Sequence, residues 1–179
     1  TMDIASQLRK DNIAEYLLFM WQIEDFIRAN KLDLDAIRAQ YPQADKELMD
    51  WYESMIDMMR REDVTEKGHL QINKNTLSSI VDLHRKLLED PKFDDYQMLF
   101  RRTLPYIIEL RAKAGDNPAG EIETCFNLLY LSLMLRLQGK ELSEGTAAAV
   151  KQISAFIAQL AANFAKDERG ELFDDNEES

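Results

Sequence analysis

Apolar side chains recur along this chain at three- and four-residue intervals, and no convincing two-residue alternation interrupts that rhythm. Val and Ile are scattered rather than gathered into the short β-branched runs expected of strands. The pattern predicts an all-α protein. Its glycines, and Pro42, Pro91 and Pro118, lie where an apolar stretch stops or restarts; only Pro105 falls inside one.

The first long helix is expected over about 12–30, with an earlier start near Ile4 as the alternative. Its stripe is Ile13, Tyr16, Leu17, Met20, Ile23 and Ile27, capped by Asp11 or Asn12. A short helix opened by Asp33 should end before Tyr41-Pro42. A third, over about 44–61, buries Leu48, Trp51, Tyr52, Met55 and Met59. The polar stretch 62–74 reads as a long loop, and the fourth helix then runs over 75–89 from an Asn75 cap. The fifth spans 94–114, kinked or divided at Pro105, which lacks an N–H and crowds the carbonyl four residues back.

The sixth helix, over 119–138, differs from the others. Ile122, Phe126, Leu129, Leu133 and Leu137 form one face, and Leu128, Leu131 and Leu135 the opposite one. A helix apolar nearly all round belongs at the centre of a fold or at a subunit interface. The seventh opens at Ser143 and carries Val150, Ile153, Phe156, Ile157, Leu160 and Phe164, with alanines that allow close helix approach. The expected architecture is a single-domain antiparallel helical bundle of six to seven helices over 1–166, packed around the sixth. A tail over 167–179, with seven acids against Arg169, is expected to be disordered.

Composition narrows the function classes. The 179 residues carry a net charge of −11, which opposes nucleic-acid binding because that needs a basic face. No apolar run reaches the roughly 18 residues of a membrane span, and the start lacks a secretory pattern, so a cytoplasmic location is expected. The single cysteine, Cys125, cannot form an intramolecular disulfide; among apolar neighbours near a helix start it reads as packing rather than a reactive thiol. The eight methionines, Met55, Met58 and Met59 among them, read as core filling rather than an adaptable groove.

Candidate chemistry rests on polar residues that break the apolar stripes. At about 100° per residue, Glu24 projects between Met20, Leu17 and Ile27, and His84 between Ile80 and Leu88. Arg111 projects near Phe100 and Ile107, and Arg136 near Cys125, Leu129 and Ser132; Glu62 continues the third helix's stripe at its frayed end. A buried charge must be paired or neutralised. The structural reading is therefore closed pairs, such as Glu24 with Arg111 or Arg136, with His84 donating to a carboxylate or carbonyl. The functional reading is a ligand pocket of Glu24, His84, Arg111 and Arg136 whose two guanidiniums hold a carboxylate or phosphate.

Metal chemistry is poorly supplied. Bundle di-iron sites need two Glu-x-x-His pairs. This chain has one, Glu66 to His69, interrupted by Gly68, and its only histidines are His69 and His84. No glycine-rich phosphate loop is present. No cofactor and no catalytic set are expected. The leading reading is a non-catalytic helical interaction protein, homodimeric or bound to another protein; the alternative is a binder of small anionic molecules, or an enzyme, using the four-residue pocket.

Several stretches carry a family resemblance: Ile4-Ala5-Ser6, Asn12 to Leu18, Trp51 to Ser54, Met58 to Arg61, Glu66 to Asn73, Glu109 to Lys113 and Ile122 to Asn127. Together they resemble a family of small helical bacterial proteins designated a domain of unknown function, over about residues 2–172. The resemblance implies an all-helical cytoplasmic protein and supplies no activity or site residues.

Overall fold

The computed structural model describes residues 2–173 and is all-helical. Among the described residues there are eight α-helices: α1 (Met2–Asp11), α2 (Ile13–Ala29), α3 (Leu34–Gln40), α4 (Lys46–Arg61), α5 (Gln71–Glu89), α6 (Asp94–Lys113), α7 (Glu121–Leu137) and α8 (Glu144–Glu168). A single 3-10 turn, Pro91–Phe93, precedes α6. That is one helix more than the upper expectation, because the segment before Asn12 is a helix in its own right. Asn12 separates the two: its backbone is extended and its side chain accepts from the N–H groups of Ala14 and Glu15 at 3.1 Å. Asp33, Asp45 and Ser143 cap α3, α4 and α8 in the same way.

The chain divides into two compact units, Thr1–Ser78 and Ser79–Ser179. In the first unit α2, α3 and α4 share a core of Met20, Ile27, Ile37, Tyr52, Met55 and Met59. The reversal between α2 and α3 places Lys31 and Leu32 at φ of 56° and 57°, a left-handed conformation that costs roughly 1–2 kcal/mol per non-glycine residue. Burial of the Leu32 side chain and a hydrogen bond from Arg60 to its carbonyl oppose that strain.

In the second unit α6, α7 and α8 pack pairwise on one another. Phe126, Phe156, Ile107 and Ile153 are fully buried, and the small Ala149 and Ala161 of α8 are buried with them. α6 runs unbroken through Pro105. The proline supplies no N–H to Arg101, which is exposed, so water can take the freed carbonyl. Two residues before the proline, Thr103 Oγ1 donates to the Leu99 carbonyl at 2.8 Å and accepts from Gln152 of α8 at 3.0 Å.

The acidic run from Asp167 is structured at its start. Asp167 and Glu168 complete α8, Leu172 is buried, and the Phe173 ring meets Phe93 at 5.5 Å with Lys92 over both rings. Residues 174–179, the rest of the expected tail, lie outside the described residues.

Candidate functional site

The most elaborate polar cluster lies in the first unit, around Glu24. Its place on the inner face of α2 makes it fully buried, as the periodicity predicted. Its partners are not the arginines expected from sequence. Oε1 lies 2.6 Å from Nδ1 of His69, while Oε2 accepts from the backbone N–H of Leu70 at 2.7 Å and from Asn73 Nδ2 at 3.0 Å. All three partners belong to the entry of α5, so one carboxylate grips that helix start.

This grip explains why α5 begins at Gln71 rather than after Asn75. The first N–H groups of a helix need acceptors, and its N-terminus favours negative charge. Glu24 meets the Leu70 N–H, and Glu62, at the end of α4, accepts from the Gln71 N–H at 2.7 Å. Both acceptors come from other helices, so no local capping signature announces them. The preceding loop is tied down by Arg28, whose Nε donates to the Val64 carbonyl at 3.1 Å and whose Nη2 donates to the Gly68 carbonyl. Gly68 itself sits at φ +90°, a conformation that disfavours any side chain.

His69 is the exposed member of the cluster. Its ring stacks on Trp21 at 4.4 Å between centroids and 14° between planes, and its side chain remains 31% exposed. With Nδ1 engaged by a carboxylate, the neutral ring carries its proton there, and the lone pair falls on Nε2. Asn73, 1% exposed, has an Oδ1 with no hydrogen-bond partner among the described residues.

The other sequence-predicted residues are placed separately: His84 and Arg111 have partners of their own, and Arg136, expected to face inward, is exposed. His84, in the second unit, is 5% exposed, with Nδ1 2.6 Å from the Tyr96 hydroxyl. The rings of Phe100 and Phe156 stand edge-on to it at 4.7 and 5.9 Å. Burial, helped by the charge of Arg85, lowers the His84 pKa to about 4, and burial pushes the Tyr96 hydroxyl well above its usual value. The expected carboxylate or carbonyl partner of His84 is thus a phenol. Arg111 donates through Nε to the Ala119 carbonyl at 2.9 Å, closing the connection between α6 and α7. Arg136 is exposed near the end of α7.

Two clefts were not legible in the sequence. One of about 190 Å³ in the first unit sets Ser6 and Arg9 of α1 against Trp51 and Met55 of α4. The other, about 300 Å³ in the second unit, lies between Tyr106 and Lys113 of α6 and the start of α8. None of Glu24, His84, Arg111 and Arg136 lines either cleft. Among the described residues no three His, Cys, Asp or Glu side chains are grouped to hold a metal ion, and no helix is long and apolar enough to cross a membrane. Cys125 is fully buried; desolvation, with the nearby charge of Glu121, pushes its thiol up to about 12.

A surface feature stands beside these clusters. α7 buries Ile122, Cys125, Phe126, Leu128 and Ser132, but Leu131 and Leu137 are 50% and 62% exposed. No charged side chain occurs from Thr124 to Leu135. Between Thr124 and Leu135 the outward side of α7 thus presents Leu131 and the polar but uncharged Asn127, in a chain that is 31% charged, and Leu137 follows beside the exposed Arg136.

An all-helical chain with polar clusters tied into its core is the class these features define. Within that class the chain belongs to the family described as Domain of unknown function (DUF4924), whose model matches residues 2–171. No curated protein and no solved structure matches it.

Proposed function

We propose that the protein is a helical interaction protein that pairs with a second copy of itself through α7. The observation that carries this reading is the half-exposed Leu131 at the middle of α7, in a stretch without a charge from Thr124 to Leu135, with Leu137 exposed at the helix end. Covering these side chains removes apolar surface from water, at roughly 25 cal/mol per Å².

Self-pairing is favoured by how the ends of α7 are charged. Glu121 and Glu123 lie in its first turn and Arg136 in its last. Two copies related by a twofold axis and running antiparallel set each Arg136 near the partner's acidic end, with the uncharged stretches facing each other. In this reading α6, α7 and α8, joined by the short connections 114–120 and 138–143, form an antiparallel bundle that leaves the outer side of α7 to the partner. A helix of 17 residues is only about 26 Å long, so the patch is at the small end of specific interfaces and the dimer is of micromolar strength. A cytoplasmic setting fits the lone free thiol.

Sedimentation equilibrium over about two decades of concentration tests the reading. Wild type should shift from monomer to dimer mass, and Leu131→Glu should stay monomeric with unchanged helicity. A monomer mass throughout for wild type overturns it.

A further inference from the structure

The Glu24 cluster contains more than a helix anchor needs. Leu70 N–H and Asn73 already hold Oε2 on the helix entry, yet the other oxygen is given to an imidazole whose far nitrogen is left open. Among the described residues nothing bonds Nε2 of His69. The ring cannot swing freely, because Trp21 stacks on its face and Glu24 holds its inner edge at 2.6 Å. A fixed, partly exposed imidazole with a carboxylate behind Nδ1 and an unbonded Nε2 is the arrangement of an activated nitrogen nucleophile.

We propose that His69 is an acyl-accepting nucleophile, with Nε2 open to small activated acyl donors and Glu24 as its positioning residue. In the forward step the Nε2 lone pair adds to the carbonyl carbon. The bond to the leaving aryloxide breaks, and the aryloxide departs with the electron pair. The ring is left as an N-acyl imidazolium whose remaining proton stays on Nδ1 against the Glu24 carboxylate. That buried negative charge stabilises the positive ring as it forms, and the effect is strongest where water is excluded. Water then adds to the acyl carbon, the carboxylic acid leaves, Nε2 recovers its electron pair and one proton passes to solvent.

The chain offers its own internal control. It has two histidines, and the second, His84, is buried with Nδ1 on Tyr96 and aromatic rings around it. Acylation should therefore discriminate between them. A purely structural His69 predicts a different result, since a ring that only completes the clasp has no reason to outpace a free imidazole.

The test uses the full chain with two probes, diethyl pyrocarbonate mapped by peptide mass spectrometry and p-nitrophenyl acetate followed by release of the phenolate. The expected result is modification at His69 and not at His84, with a second-order rate at least about tenfold above N-acetylhistidine at the same pH. His69→Gln keeps an N–H donor for Glu24 but has no nucleophilic nitrogen, and should fold normally and fall to background. Glu24→Gln should lower the rate toward that of free imidazole; if that variant fails to fold, the first two comparisons still decide. A His69 rate at or below that of N-acetylhistidine, or a His69→Gln variant as fast as wild type, overturns the proposal. Neither outcome bears on the α7 pairing, which is read by mass alone.

Discussion

Glu24 and His84 are both polar residues on apolar stripes, and the two units treat them differently. Glu24 stays in the core by collecting three donors from one segment, so its burial is matched by hydrogen bonds at both oxygens. His84 has one polar partner, Tyr96, and otherwise faces aromatic rings. The first solution pins a helix entry and leaves a neighbouring imidazole facing outward. The second packs an imidazole much as a phenylalanine would be packed, and keeps it neutral. A polar residue on an inward stripe therefore marks a place where the fold needs a partner, and the partner decides whether the place is an anchor or an inert filling.

Removing each residue should separate the two solutions. Glu24→Ala strands two buried donors and the half-buried His69 ring at once and should cost about 3–5 kcal/mol in urea-denaturation experiments. Loss of protection at the amides of the α5 entry, read by hydrogen exchange, should accompany it. His84→Ala leaves a hole in the aromatic niche and an unpaired Tyr96 hydroxyl, for about 3 kcal/mol, with the exchange effect confined to the second unit. If His84→Ala proved the costlier change, the anchor and filling assignments would have to be exchanged.

Acid sharpens the contrast. The folded-state pKa of His84 is lowered to about 4, below the unfolded value near 6.5, so only the unfolded chain takes a proton between them. Its contribution is complete above about pH 6.5 and disappears as pH falls toward 4, on the order of 3 kcal/mol. His84→Phe should flatten that part of the stability profile, measured by chemical denaturation at each pH. At the small end, Asn12→Ala should cost about 1 kcal/mol through loss of the α2 cap. Asn75→Ala should change stability by less than about 0.5 kcal/mol, because α5 has already begun four residues earlier.

Local signals carried most of the fold. Helical periodicity identified the long helices, and Asn12, Asp33 and Ser143 act as the caps their positions suggested. The same arithmetic sent Glu24 and His84 inward. It could not choose their partners, because periodicity states which way a side chain points and is silent on what it meets after the chain turns back. The pairing of Glu24 with Arg111 or Arg136 failed for that reason, and so did the start of α5, which depends on carboxylates 46 and 9 residues away. His69 drew attention only as half of a broken metal motif. The signal that pointed elsewhere was an unpaired inward acid on α2, which called for donors on a loop. Pro105 teaches a similar lesson: the missing N–H is a local fact, but its consequence was set by the exposed position of Arg101.

The lone thiol has a practical consequence. Because Cys125 is shut inside the second unit and protonated at neutral pH, alkylating reagents should reach it only when that core parts. The rate of its labelling is then a stopwatch for breathing of α7. A new cysteine placed at an exposed site elsewhere would accept a dye without competition from the native one.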